Sequence, residues 1–238
     1  MILFCACAYS DVIPAATKAE ALAAAGAGGV RIVPDLCGCA ARRDPILSES
    51  AAADDLTIVA CHPRAVRALF AWAGTPLDAT RVRFINLREK PAESTELRPP
   101  VEVSPTALPV VDRTAEWIPW FPVIDTARCT GCRQCLEFCL FGVYETDEHG
   151  AVMVTHPEGC KTNCPACARL CPNAAIIFPK YTGPPINGEE ITDEAAVRAA
   201  SRELAEGDLR AALEERRRKR RALLKPEYRP GPAPGEDS

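Results

Sequence analysis

Along residues 1–90, short apolar runs alternate with stretches that keep one apolar face. Ile2 to Cys7 is an apolar run that reads as a strand, and Ala15 to Ala25, Ala-rich with Leu22 inside it, reads as a helix. Gly26-Ala-Gly28-Gly29 ends that helix, and Val30 to Leu36 is the next strand. Pro45 to Ala53 predicts a short helix and Leu56 to Ala60 a third strand. Pro63 to Ala73 predicts another helix and Val82 to Leu87 a fourth strand. Strands separated by helices predict a small parallel α/β sheet.

The pattern then breaks. Glu89 to Trp120 holds Pro91, Pro99, Pro100, Pro105, Pro109 and Pro119, so residues 91–121 read as an extended linker. Val101, Val103, Leu108, Val110, Val111, Trp117, Ile118 and Trp120 are too apolar for a free tether, and the linker is expected to lie along one or both domains. Trp117 to Phe121 looks like a docking surface, but the favoured expectation is that it packs on the unit that follows, residues 122–182. Residues 183–238 predict a helical arm from about Asp193, a break at Gly207, and a disordered end marked by Pro226, Pro230, Pro232 and Pro234.

The 238 residues allow one or two domains and a tail, and 47% apolar content is enough for a core. A formal net charge of −4 gives no nucleic-acid signature. Arg216 to Arg221 is a basic run that would cover a helix on every side, and Glu214 and Glu215 precede it. It reads as a solvated face, with an acidic partner surface as the alternative. No run approaches the ~18 apolar residues that span a bilayer. The N-terminus lacks a basic leader, and the expected location is the cytoplasm.

Cysteine changes the picture most. There are 13, an odd number at metal-like spacings, which argues against a disulfide framework and implies a reducing compartment. One group reads Cys129-x-x-Cys132-x-x-Cys135-x-x-x-Cys139, the other Cys160-x-x-x-Cys164-x-x-Cys167-x-x-x-Cys171-Pro172. Three closely spaced thiolates wrap an iron–sulfur cube, and the fourth, three residues further on, reaches the other cube. The expected ligands are Cys129, Cys132, Cys135 and Cys171 for one [4Fe–4S] cluster, and Cys160, Cys164, Cys167 and Cys139 for the other. Two zinc sites are the alternative, although zinc more often takes two separated Cys-x-x-Cys pairs. Roughly Pro122 to Lys180 resembles the bacterial two-[4Fe–4S] ferredoxins, which implies an α+β ferredoxin-like unit. Lys161, Thr162 and Asn163 stand where that family usually has two residues, and Leu140 where it usually has proline.

Cys5, Cys7, Cys37, Cys39 and Cys61 remain, each at the C-terminal end of an expected strand. Strand alternation would point Cys5 and Cys7 one way, and likewise Cys37 and Cys39. The C-terminal ends of parallel strands share one edge, where open α/β folds bind their ligands. The reading is a metal or redox site; zinc and ordinary buried cysteines are the alternatives. Phe4-Cys5-Ala6-Cys7, Cys37, Val59-Ala60-Cys61-His62-Pro63-Arg64 with Phe70, and Asn86-Leu87-Arg88-Glu89 resemble the N-terminal domain of the heterodisulfide reductase A subunit. That resemblance implies a third [4Fe–4S] cluster within residues 1–90. Here His62 stands in place of Ser, and Lys90-Pro91 stands where a further cysteine would follow, leaving Cys39 as a substitute. His62 itself reads as a capping or core residue.

Gly26 to Gly29 follows a helix and precedes a strand, so it is not a nucleotide loop, and no flavin or nucleotide site is visible. No catalytic constellation stands beside the cysteines. The expected function is electron relay between redox protein partners, within a larger oxidoreductase complex or outside one. The alternative is a subunit of a heterodisulfide-reductase-like enzyme with thiol/disulfide chemistry at Cys-x-Cys. A structural zinc adaptor is the third reading.

Overall fold

The computed structural model describes residues 1–26, 29–89, 108–114, 117–197 and 199. Strand β1 (Ile2–Cys5) leads through helix α1 (Ala15–Ala25) to β2 (Val30–Val33). Helices α2 (Leu36–Ala41) and α3 (Pro45–Ala51) precede β3 (Leu56–Ala60), and α4 (Pro63–Trp72) leads to β4 (Val82–Asn86). The four strands form one sheet in the order β2-β1-β3-β4, every pair parallel. The chain leaves β1 toward one side of the sheet and β3 toward the other. That divergence places the topological switch point of the sheet between the C-terminal ends of β1 and β3, where open α/β folds bind their ligands.

One expectation fails at β2. Val30 to Leu36 was expected to run as a strand with Cys37 and Cys39 on one face. Instead β2 stops at Val33, and the Asp35 carboxylate accepts the Gly38 N–H at 2.9 Å and caps α2. Asp is a strong N-cap because its oxygen satisfies a first-turn N–H. Residues two apart on a helix point to opposite sides, so Cys37 and Cys39 do not share a face. Likewise β1 ends at Cys5, and Cys7 has φ 45°, outside any strand. The alternation argument for Cys5 and Cys7 therefore does not apply.

The cysteine-rich segment is built from short pieces. Strand β5 (Val123–Ile124) pairs antiparallel with β8 (Ile176–Ile177), and β6 (Tyr144–Thr146) pairs antiparallel with β7 (Val152–Val154). Helices α5 (Gln134–Phe138) and α6 (Ala166–Leu170) each carry the third cysteine of a motif.

Two apolar cores meet across the β5–β8 ribbon. Phe121, Val123 and Ile177 belong to the core under the parallel sheet, with Phe4, Ile58 and Phe70. Their neighbours Trp120, Ile176 and Phe178 belong to the second core, with Val143, Val152 and Val154. Alternation of faces along extended chain makes this ribbon a two-sided wall. Trp120 stacks on Phe178 at 5.4 Å, and Phe121 lies 4.9 Å from Trp72. Trp117 to Phe121 thus packs against both cores.

Polar contacts join the same two parts. Arg64 Nε, on α4, lies 2.8 Å from the Asp125 carboxylate, and the guanidinium also donates to the Ala174 and Pro185 carbonyls. Trp72 Nε1 donates to the Val154 carbonyl at 2.8 Å. Gly188, at φ +89°, lies against Ala65 at the start of α4, where a Cβ would overlap the Ala65 methyl. Of the expected arm, residues 194–197 are helical behind Asp193, whose carboxylate accepts the Ala196 N–H at 2.9 Å. Linker residues 91–107, the Gly207 break, the basic run and the Pro-rich end lie outside the described residues. Among the described residues no helix is long and apolar enough to cross a membrane.

Candidate metal centres

Both cysteine motifs bend through a left-handed residue just before their second cysteine: Gly131 at φ 69° and Asn163 at φ 62°. Glycine meets no steric cost there, and asparagine tolerates it best among residues with a side chain. The extra residue of the second motif is taken up upstream of that bend, within Lys161 and Thr162. Each motif then enters its short helix. Cys139 (φ −70°, ψ 114°) and Cys171 (φ −72°, ψ 112°) leave α5 and α6 in extended conformation. This turns the fourth cysteine away from the third.

The eight side chains divide between two cavities. Cys129, Cys132, Cys135 and Cys171 line one, with Ile124 and Ile176 in its wall. Cys139, Cys160, Cys164 and Cys167 line the other, with Pro122, Phe138 and Tyr144. Burial pushes the thiols of Cys135, Cys160 and Cys167 up to about 12. Thiols so placed are neutral until a metal displaces their protons. The Ala175 N–H donates to Cys171 Sγ at 3.3 Å, and the Tyr144 hydroxyl to Cys167 Sγ at 3.1 Å. Burial, then the Cys167 thiol, raises the Tyr144 phenol well above its ordinary range.

Among the described residues no three His, Cys, Asp or Glu side chains converge tightly enough to hold a single metal ion. A cube asks for a wider spread, because each of its ligand sulfurs binds a different iron. Four thiols around one apolar-walled cavity fit that demand in both places.

Four more thiols gather at the C-terminal edge of the parallel sheet. Cys5 ends β1, Cys7 follows it, Cys37 lies in α2 and Cys61 follows β3. Cys5, Cys7 and Cys37 are buried. The Cys5 thiol hydrogen-bonds to Cys7, which lowers Cys7 against the effect of burial and raises Cys5. Cys5 Sγ also accepts the Leu36 N–H at 3.3 Å. Burial raises Cys37 well above its ordinary value and pushes Cys61 up to about 12, with Cys7 close enough to act on both. Cys39 stands apart: burial, then Asp44, pushes it up to about 11, and no other thiol acts on it.

Charges that the sequence reading missed surround this quartet. Lys180, from the chain leaving β8, bonds to Asp35 at 2.8 Å and to the Pro119 carbonyl at 3.1 Å. Burial works against its charge, but Asp35 and the Cys37 and Cys7 thiols outweigh it and raise the ammonium's pKa. Arg88, lowered by burial and facing Cys61 and Cys7, donates to the neutral carbonyls of Pro179 and Thr182. No local signal marks Lys180, because its partner is 145 positions away. His62 is buried at the start of α4, bonded to the amides of Asn86 and Asn187, and burial lowers its pKa. It behaves as a neutral core residue.

Comparison with known proteins reaches about a quarter of the chain. An uncharacterised ferredoxin of Methanocaldococcus jannaschii is 49% identical over 63 residues, 26% of this chain and 42% of that relative. The pyruvate synthase subunit PorD of the same organism is 31% identical over 67 residues, 28% of this chain and 76% of the relative. Ferredoxin-3 of Nostoc sp. is 32% identical over 74 residues, 24% of this chain and 75% of the relative. No known family profile and no solved structure matches the chain.

Proposed function

The chain belongs to the ferredoxins, and from that premise we propose that it relays electrons between redox proteins through two [4Fe–4S] clusters and a third at the sheet edge. Cys129, Cys132, Cys135 and Cys171 hold one cluster, and Cys139, Cys160, Cys164 and Cys167 hold the second. Cys5, Cys7, Cys37 and Cys61 hold the third. The observation that carries the reading is the sorting of eight cysteines into two cavities, with the fourth cysteine of each motif on the other motif's side. Each bound cluster supplies reversible one-electron chemistry. The chain's own residues supply thiolate ligands, donors to sulfur at Tyr144, Ala175 and Leu36, and apolar walls that limit water. Arg88, bonded to neutral carbonyls, adds positive charge beside the sheet-edge thiols, which suits an anionic centre, while the charge of Lys180 is balanced by Asp35. One partner is the kind of oxidoreductase that the similarity to a pyruvate synthase subunit suggests.

A second reading applies to the sheet edge. The Cys5–Cys7 hydrogen bond and the lowered Cys7 thiol favour thiol/disulfide exchange. Oxidising that pair would release two protons and two electrons, one electron for each ferredoxin cluster. Iron and sulfide counts on anaerobically purified full chain separate these readings. About twelve irons, four for each cube, support three clusters. About eight irons with four reactive sheet-edge thiols support exchange, and zinc in place of iron overturns both.

A further inference from the structure

Tyr144 is 4% exposed, while the next two residues of β6, Glu145 and Thr146, face solvent. Its ring fills the second core beside Val143, Val154 and Phe178. A phenylalanine would fill that space equally well. The hydroxyl is the anomaly, since a buried polar group without a partner is costly. Its partner is Cys167 Sγ at 3.1 Å, in the wall shared with Cys139, Cys160 and Cys164. The Cys135 thiol of the other cavity is also close enough to act on the phenol, although Tyr144 lines only the cavity of Cys139, Cys160, Cys164 and Cys167.

The other cavity has a donor of a different kind. There the Ala175 backbone N–H reaches Cys171 Sγ at 3.3 Å. A main-chain donor survives almost any substitution, whereas the Tyr144 donor disappears with one oxygen atom.

We propose, resting on the two-cluster reading above, that Tyr144 is a positioning residue that raises the reduction potential of the centre held by Cys139, Cys160, Cys164 and Cys167. One-electron reduction adds negative charge to the ligand sulfurs. An O–H donor binds a more negative sulfur more strongly, so it favours the reduced state. The proton stays on the Tyr144 oxygen throughout, no bond forms or breaks, and the electron comes from the redox partner, or from dithionite in the experiment. The apolar surroundings strengthen the effect by excluding competing water.

The test is a potentiometric titration of the full chain with dithionite, followed by EPR, for the wild type and Tyr144→Phe. Iron is counted in parallel, and the second centre's signal is assigned from its change in Cys164→Ser. Both proteins should retain their iron. The second centre's reduction equilibrium should move about tenfold toward the oxidised form, equivalent to about 59 mV for one electron. The Cys129 centre should move far less. Identical potentials in the two fully loaded proteins would overturn the role of Tyr144 and leave the two-cluster reading standing. A wild type without cluster iron would overturn the reading itself, and the role with it. If Tyr144→Phe does not load, site-specific 3-fluorotyrosine, a stronger donor of nearly the same shape, is titrated instead. A raised second-centre potential supports the role, and an unchanged one overturns it.

Discussion

Lys180 Nζ stands 2.8 Å from Asp35 Oδ1, and the two side chains are 4% and 2% exposed. The pair joins the start of α2, beside the sheet-edge thiols, to the chain that leaves β8. A buried pair adds little or no net stability over a well-packed apolar pair, but removing one partner strands a charge. Lys180→Met should therefore destabilise the protein by about 3–5 kcal/mol. The double change Lys180→Met with Asp35→Asn should cost less than Lys180→Met alone, since no bare carboxylate remains. Urea unfolding of the three proteins checks this, and a near-neutral Lys180→Met would mean the pair is not buried in solution.

Gly188 predicts a second effect. An alanine there needs a left-handed backbone, and its Cβ would come within 2.9 Å of the Ala65 backbone nitrogen. Backbone strain of this kind costs about 1–3 kcal/mol, and the contact with α4 adds to it. Thermal unfolding of Gly188→Ala should show a lowered midpoint, together with faster proteolysis between Tyr181 and Glu190.

The cysteines should not respond alike to serine. Cys160→Ser should cost the centre that Cys160 shares with Cys139, Cys164 and Cys167, despite the longer loop before Cys164. Cys61→Ser should remove the sheet-edge centre. Cys39→Ser should keep the full iron content, because no other thiol acts on Cys39. Iron and sulfide assays on the three purified variants decide each case.

Loading should also release protons. Cys135, Cys160 and Cys167 are pushed up to about 12 by burial in the metal-free chain. At neutral pH each is a thiol, and each must lose its proton to become a ligand. Reconstitution with iron and sulfide in weak buffer should acidify the solution, and loading should become more favourable as pH rises from 7 to about 9. A loading equilibrium independent of pH would mean these cysteines are not ligands.

Much of this site was legible in the residues. Strand β3 and helix α1 lie where the apolar pattern predicts them, and Cys5 and Cys61 end up at one sheet edge because parallel strands share their C-terminal side. Helix α2 was missed because the apolar run from Val30 was carried through Asp35, although an Asp after Pro34 is itself a helix-start signal. That error joined Cys39 to Cys37, which the helix separates. Lys180, Arg64 and Tyr144 gave no local sign. Their roles depend on partners far along the chain, and only the packing of the two cores brings those partners together.

The most direct measurement of the central claim is a coulometric titration of the anaerobically purified full chain, with EPR recorded at each step. The account predicts uptake of at least two electrons per chain, one for each [4Fe–4S] centre of the Cys129–Cys171 segment. Those electrons should be returned to an oxidant without loss of iron. A chain that takes up no electrons, or that carries zinc in these cavities, would contradict it.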